Sequence, residues 1–141
     1  ADGAPDAQVI APYEDGWLLT DAEWAQCAGD AAKLATKVKA DEEGRVVEVN
    51  LYYCKDMKEL PASVGKLQAL RRLALGGCKG LTSLPPELGG LQALTMLSLY
   101  KCDSLTSLPD LSGLEKLKLV RSLPEKLKPW EEGGRKAFAL G

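Results

Sequence analysis

Four cysteines carry most of the potential chemistry of this chain. Cys54, Cys78 and Cys102 follow one another at equal intervals, and Cys27 lies outside this spacing. Thiols can bind metals or act as nucleophiles, but the chain contains no histidine. Ser-His-Asp and Cys-His catalysis and imidazole-ligated zinc are therefore excluded. There is also no CxxC pair, so we predict neither a metal site nor a cofactor.

Other catalytic patterns are missing as well. Gly65-Lys66 lacks both the earlier glycine and the following Ser or Thr of a phosphate-binding loop. The carboxylates are scattered, and Cys27 as a nucleophile would have only lysine as its base. We therefore expect that the chain is not an enzyme.

The three equally spaced cysteines are part of an internal sequence repeat. Each of them occupies the same position in one repeat unit, so the length of a unit equals the spacing of the cysteines. Three segments, which begin at Val46, Leu70 and Leu94, share the pattern LxxLxLxxCxxLxxLPxxLGxL. Seven apolar positions recur in each segment, which indicates units that stack and bury one another's apolar edges. These positions are Val46, Val49, Leu51, Met57, Leu60, Val64 and Leu67; Leu70, Leu73, Leu75, Leu81, Leu84, Leu88 and Leu91; and Leu94, Leu97, Leu99, Leu105, Leu108, Leu111 and Leu114.

This pattern resembles the leucine-rich repeat, in a plant- or algal-like subtype with cysteine in place of the usual asparagine. The resemblance covers about residues 36–124. It implies an α/β fold, a short right-handed leucine-rich-repeat solenoid of about three full repeats and a truncated one. Short parallel strands would form its concave face, and a helix and a hairpin would cap its N-terminal end.

The concave face is where a partner would bind. In each unit the two central leucines are two residues apart, so the residues that flank them point to the other face of a strand. Tyr, Met and Arg among these residues are typical of interface cores, and Gly76 would leave a notch between Tyr52 and Tyr100. An ordinary exposed sheet surface is the alternative. The flanking residues are Glu48, Asn50, Tyr52, Arg72, Ala74, Gly76, Met96, Ser98 and Tyr100.

The three regularly spaced cysteines follow the strands, where the chain bends inward. A small side chain at such a bend can bridge successive units and fits a dry interior. We therefore predict that Cys54, Cys78 and Cys102 form a buried, reduced ladder whose thiols have raised pKa values.

Both ends of the chain depart from the repeat. Thr20 and Glu23 form a capping box that predicts a helix start, and Asp41–Gly44 predicts the turn of a hairpin. The family's cap would place a cysteine at Ala40, so no cap disulfide is expected. We divide the chain into an extended acidic segment (1–16), a cap (17–45), the repeats (46–124) and a C-terminal tail or cap (125–141).

The C-terminal tail contains three large apolar residues with two possible roles. Trp130, Phe138 and Leu140 could cover the open end of the solenoid, or they could dock a partner. The sequence leaves both roles open.

Charge and hydropathy limit the partners. Residues 1–45 hold ten acids and four bases, net −6, and residues 46–141 hold ten acids and fourteen bases, net +4, which sum to −2. Positive charge this thinly spread does not predict nucleic-acid binding. No run of about 18 apolar residues predicts a membrane-spanning segment. The alanine-rich start without Met suits an organellar or exported protein that has lost a targeting segment.

Together these observations predict a non-catalytic protein–protein interaction module. We expect it to act as a structural or docking subunit of a larger assembly. The alternatives are a ligand-recognition domain of an immune-type or signalling receptor and, last, an enzyme.

Overall fold

The computed structural model describes residues 37–121 and 123–140. The predicted N-terminal helix, Cys27 and the acidic segment lie outside these residues. The described part has a mixed α/β structure with a largely parallel sheet, short 3-10 helices and one five-residue α-helix.

The main sheet has five short strands in the order β1-β2-β3-β4-β6. An antiparallel hairpin joins β1 to β2, and the later strands each add in parallel. A separate antiparallel pair joins β5 to β7. The strands are β1 (Val38–Ala40), β2 (Val46–Asn50), β3 (Arg72–Ala74), β4 (Met96–Ser98), β5 (Ser107–Leu108), β6 (Lys118–Leu119) and β7 (Phe138–Ala139).

Parallel pairing follows the sequence repeat. Glu48 lies opposite Arg72, and Arg72 lies opposite Met96, so each step from strand to strand equals one period of the repeat. The next full period would bring Val120 opposite Met96, but Lys118 lies there instead. The chain therefore returns to the sheet two positions sooner in its last passage.

Short 3-10 helices lie on the side of the core away from the sheet. They span Ala62–Lys66, Pro86–Gly90 and Glu125–Leu127, and the last continues into the helix α1 (Lys128–Glu132). The first two each follow a proline, whose fixed φ suits a helix start and whose carbonyl accepts the first hydrogen bond.

The core lies between the sheet and these helices. All twenty-one apolar positions of the sequence repeat are buried, and none is more than 6% exposed. Equivalent positions of successive units stack on one another, as with Leu51, Leu75 and Leu99 after the strands. The repeat thus forms one continuous apolar core.

The hairpin turn is fixed by its acidic residue and its glycine. The Asp41 carboxylate accepts hydrogen bonds from the backbone N–H groups of Glu43 (2.9 Å) and Arg45 (3.0 Å). These bonds, chiefly the one from Arg45, lower the pKa of Asp41. Gly44 has a φ of +81°, a conformation that glycine adopts without strain.

The C-terminal tail folds back and covers the last unit. Trp130 is 1% exposed, and its indole N–H donates to the Pro109 carbonyl at 3.1 Å. Arg135 donates to the Leu117 carbonyl (2.8 Å) and binds both carboxylate oxygens of Glu131. The tail residues were predicted either to cover the end of the repeats or to dock a partner. Trp130 covers the end of the core, and its buried side chain is not available for docking.

Candidate functional site

The sheet presents one face away from the core. We call this surface, formed by the residues of 38–40, 46–53, 72–77, 96–101 and 118–121 that do not point into the core, the sheet face. Directly paired residues of adjacent strands share a face, so its side chains run in lines across the strands. One line is Lys39, Glu48, Arg72, Met96 and Lys118; the next is Asn50, Ala74 and Ser98; the third is Tyr52, Gly76 and Tyr100.

The nine residues predicted for the concave face therefore come together on the sheet face, but three of them are covered. Ala74, Gly76 and Ser98 are buried, with Ser98 only 1% exposed. The alternation of a strand gives the direction of these small side chains. The alternation does not predict that larger neighbouring side chains cover these small residues. In the described structure these three residues therefore offer little surface to a partner, and the binding role predicted for them stays a prediction.

The expected notch at Gly76 is occupied by the ring of Tyr52. A Cβ built on Gly76 would lie 2.9 Å from Cε1 of Tyr52, closer than ordinary packing allows. Gly77 has a φ of +77°, and a Cβ there would overlap the ring of Tyr53. The two glycines thus form the floor on which the two tyrosine rings rest.

The two rings form the main exposed aromatic surface of the described residues. Tyr52 is 38% exposed and Tyr53 is 63% exposed. Their centroids are 6.3 Å apart and their planes are tilted by 38°. We call this pair the tyrosine platform. Sequence reasoning missed Tyr53 and Gly77, although the alignment of Tyr-Tyr with Gly-Gly one repeat later was a usable signal.

Tyr100, in the third line of the sheet face, has two cations close to its ring. The Lys101 Nζ is 5.3 Å from the centroid of its ring and the Arg121 Cζ is 5.1 Å from it. Such contacts hold the cations against the ring face. Neither cation was among the predicted site residues, because Lys101 lies one position past the flanking residues of its strand and Arg121 lies outside the three aligned repeat segments.

Two of the cysteines at the edge of the sheet donate hydrogen bonds to the preceding unit. The Cys78 thiol donates to the Leu51 carbonyl at 2.9 Å, and the Cys102 thiol donates to the Leu75 carbonyl at 3.0 Å. Both are fully buried, and burial raises the pKa of Cys102 to about 11. A hydrogen bond with Cys54 and burial raise the pKa of Cys78.

Cys54 departs from the predicted ladder. It is only half-buried, and its thiol contacts the carbonyl of Tyr52 in its own unit at 3.9 Å. When Cys54 is ionised, a hydrogen bond from the Cys78 thiol to its thiolate, together with the charge of Lys37, lowers the pKa of Cys54 to about 7. The predicted rise in its pKa is wrong because these two effects outweigh the raising effect of its partial burial.

The remaining tail residues differ in exposure. Phe138 in β7 is half-buried against the core, whereas Leu140 is 40% exposed. Among residues 37–121 and 123–140, no group of three or more Cys, Asp or Glu side chains is arranged to hold a metal ion. No helix in the same part of the chain is both long and apolar enough to cross a bilayer.

Comparisons with known proteins give little further identification. No family model matches the chain, and no curated protein matches it. Among solved structures, the chain has weak similarity to a leucine-rich-repeat protein of Leptospira interrogans, with 25% sequence identity and a TM-score of 0.25. The similarity covers 54% of this chain and 31% of that protein, so this chain spans about a third of its length. At this TM-score the similarity carries no weight for the function of the chain.

Proposed function

We propose that the chain is a short leucine-rich-repeat solenoid that acts as a non-catalytic protein–protein interaction module. In this proposal it is right-handed, with about three full repeats and a truncated one, and it serves as a docking subunit of a larger assembly. The equal steps between the parallel strands β2, β3 and β4 and the buried repeat positions support the architecture.

The observation that carries the functional proposal is the tyrosine platform on the sheet face. Tyr52 and Tyr53 expose large ring surfaces, yet contact with Gly76 and Gly77 limits their freedom. A restrained tyrosine loses little side-chain entropy on binding and offers both an apolar ring and a hydroxyl. These are properties of the aromatic residues that dominate binding energy in protein interfaces.

The proposal assigns no catalysis to this face. The absence of histidine supports this, since the commonest general base is missing from the whole chain. The charged side chains along the first line of the sheet face are Lys39, Glu48, Arg72 and Lys118, and Lys39 lies 3.9 Å from Glu48, the one carboxylate in that line.

The test compares capture of partners by three forms of the full chain from an extract of its native source. The forms are the unaltered chain, Tyr52→Ala/Tyr53→Ala, and Leu140→Ala, which removes exposed apolar surface away from the sheet face. We expect a stoichiometric protein partner to be lost only with the tyrosine variant. With the isolated partner, that variant should raise Kd by about tenfold or more.

Two results contradict the proposal. An unchanged Kd for the tyrosine variant would remove the platform from the interface. Loss of the partner with Leu140→Ala alone would place binding at the C-terminal tail instead.

A further inference from the structure

The charge of the sheet face is strongly one-sided. Five basic residues lie on it and one acidic residue, Glu48. The chain as a whole carries a net charge of −2, so this surface is an exception to the overall balance. The five bases are Lys39, Arg72, Lys101, Lys118 and Arg121.

Most of this positive charge is not neutralised locally. In the described ranges, Lys39 contacts the Glu48 carboxylate, whereas none of the other four cations forms an ion pair. Lys101 and Arg121 instead lie against the ring of Tyr100. Both cations therefore lie beside one exposed part of the sheet face, around Tyr100, without a carboxylate partner of their own.

We propose that the partner segment bound by the sheet face is acidic, an extended stretch of a protein rich in Asp and Glu. This rests on the proposed function. Neighbouring strands are about 4.8 Å apart, so β1 to β6 spans about 19 Å, which an extended peptide covers in about six residues. Its carboxylates pair with Arg72 and Lys118 at one side of the face and with Lys101 and Arg121 at the other, and its apolar groups contact the tyrosine platform.

Nucleic acid is the competing polyanion, and the observations favour a protein. Five cations spread over four of the five strands fall short of the dense basic stripe that phosphate backbones need. The Tyr52 ring also has one side against Gly76, which limits the surface on which a base could stack.

The experiment measures binding by fluorescence anisotropy with two probes of equal side-chain or phosphate charge and one neutral counterpart. The probes are a labelled decapeptide of alternating Gly and Glu, its Gly-Gln counterpart, and a thymidine hexanucleotide with five phosphates. The full-length chain is compared with Lys101→Gln/Arg121→Gln on the sheet face and with Lys58→Gln/Lys66→Gln, which changes the charge equally at exposed positions away from it.

We expect the Glu peptide to bind at least about tenfold more tightly than the Gln peptide. Lys101→Gln/Arg121→Gln should weaken that binding about fivefold or more, with a change below about twofold for Lys58→Gln/Lys66→Gln. Raising the salt concentration from about 50 to about 200 mM should weaken binding of the Glu peptide.

Three results overturn this inference. They are equal binding of the Glu and Gln peptides, equal losses in the two variants, or tighter binding of the hexanucleotide. If the tyrosine variant still loses its captured partner while the Glu peptide fails to bind, only the acidic character is wrong. If the captured partner binds the tyrosine variant as tightly as the unaltered chain, the proposed function is wrong, whichever peptides bind.

Discussion

The ring of Tyr52 rests directly on Gly76, one repeat along the chain, at a distance that leaves no room for a Cβ. Tyr53 has the same relationship to Gly77. The exposed aromatic surface of one unit thus depends on the absence of side chains in the next. Stability and partner binding are coupled at these four residues.

Gly77→Ala should destabilise the protein by about 1–3 kcal/mol, because its φ of +77° strains an L-residue and the new methyl group displaces Tyr53. Gly76→Ala should cost less, since its backbone is unstrained and only the Tyr52 ring must move. Urea denaturation monitored by circular dichroism measures both changes.

Gly90 and Gly113 provide matched controls, because a Cβ at either position meets nothing within 4 Å. Their alanine variants should change the free energy of unfolding by less than about 1 kcal/mol. A double-mutant cycle of Tyr53→Ala with Gly77→Ala should recover the part of the loss that is due to ring displacement. Strict additivity would show that Tyr53 and Gly77 do not interact.

Trp130→Ala should be among the most damaging substitutions in the tail, at about 3–5 kcal/mol, because it leaves a large cavity under the end of the core. Trp130→Phe retains most of the ring but leaves the Pro109 carbonyl without its indole donor, and should cost about 1–3 kcal/mol. Thermal and urea unfolding compare the two. Equal stability of Trp130→Ala and the unaltered protein would show that the tail does not close the core.

Ser98→Ala should leave the protein as stable as before or stabilise it by about 1 kcal/mol. The Ser98 hydroxyl is buried and, in the described structure, has no hydrogen-bond partner, so its removal recovers a desolvation cost. Ser112→Ala is the contrasting variant, because that hydroxyl is exposed and donates to the Asp110 carboxylate. A clear loss of stability in Ser98→Ala would mean that this hydroxyl has a partner in solution.

Cys54 should be the most reactive of the three ladder cysteines near neutral pH. A folded-state pKa of about 7 lies below the ordinary thiol value, so the reactive thiolate accumulates as pH rises through 7. Cys102, with a pKa of about 11, stays protonated and buried over this range. Mass spectrometry of iodoacetamide-treated protein from pH 5 to about 9 resolves each cysteine-containing peptide.

The predicted outcome is a midpoint near pH 7 for alkylation of Cys54, with Cys78 and Cys102 labelled only after denaturation. Labelling of all three at one common rate would contradict the difference in burial. A midpoint for Cys54 near the ordinary thiol value would show that the Cys78 bond does not stabilise its thiolate.

The buried framework could be predicted from the sequence because it depends on periodicity. Leu51, Leu75 and Leu99 recur once in each repeat and are buried where that spacing places them. The hairpin turn also follows from local chemistry, since Asp41 and Gly44 act within one short turn. The signal for the turn is local in the sequence, and the signal for the core recurs in every repeat.

The details of the candidate site depend on contacts between side chains of different units. Alternation places Gly76 on the sheet face but does not reveal that the Tyr52 ring covers it. The closing of the last unit by Trp130 and Arg135 depends on long-range bonds to Pro109 and Leu117. No repeated pattern in the sequence encodes the second arrangement, and only the Tyr-Tyr and Gly-Gly pairs at equivalent positions of successive repeats indicate the first.

The most direct test of the sheet face as the binding surface is a nuclear magnetic resonance titration of the labelled chain with its isolated partner. We predict that shift changes concentrate on the amides of residues 50–53, 74–77 and 98–101. The 3-10 helices at Ala62–Lys66 and Pro86–Gly90 should be unaffected. Shift changes confined to those helices or to the C-terminal tail, with none at the amides of Tyr52 and Tyr53, would contradict binding at the sheet face.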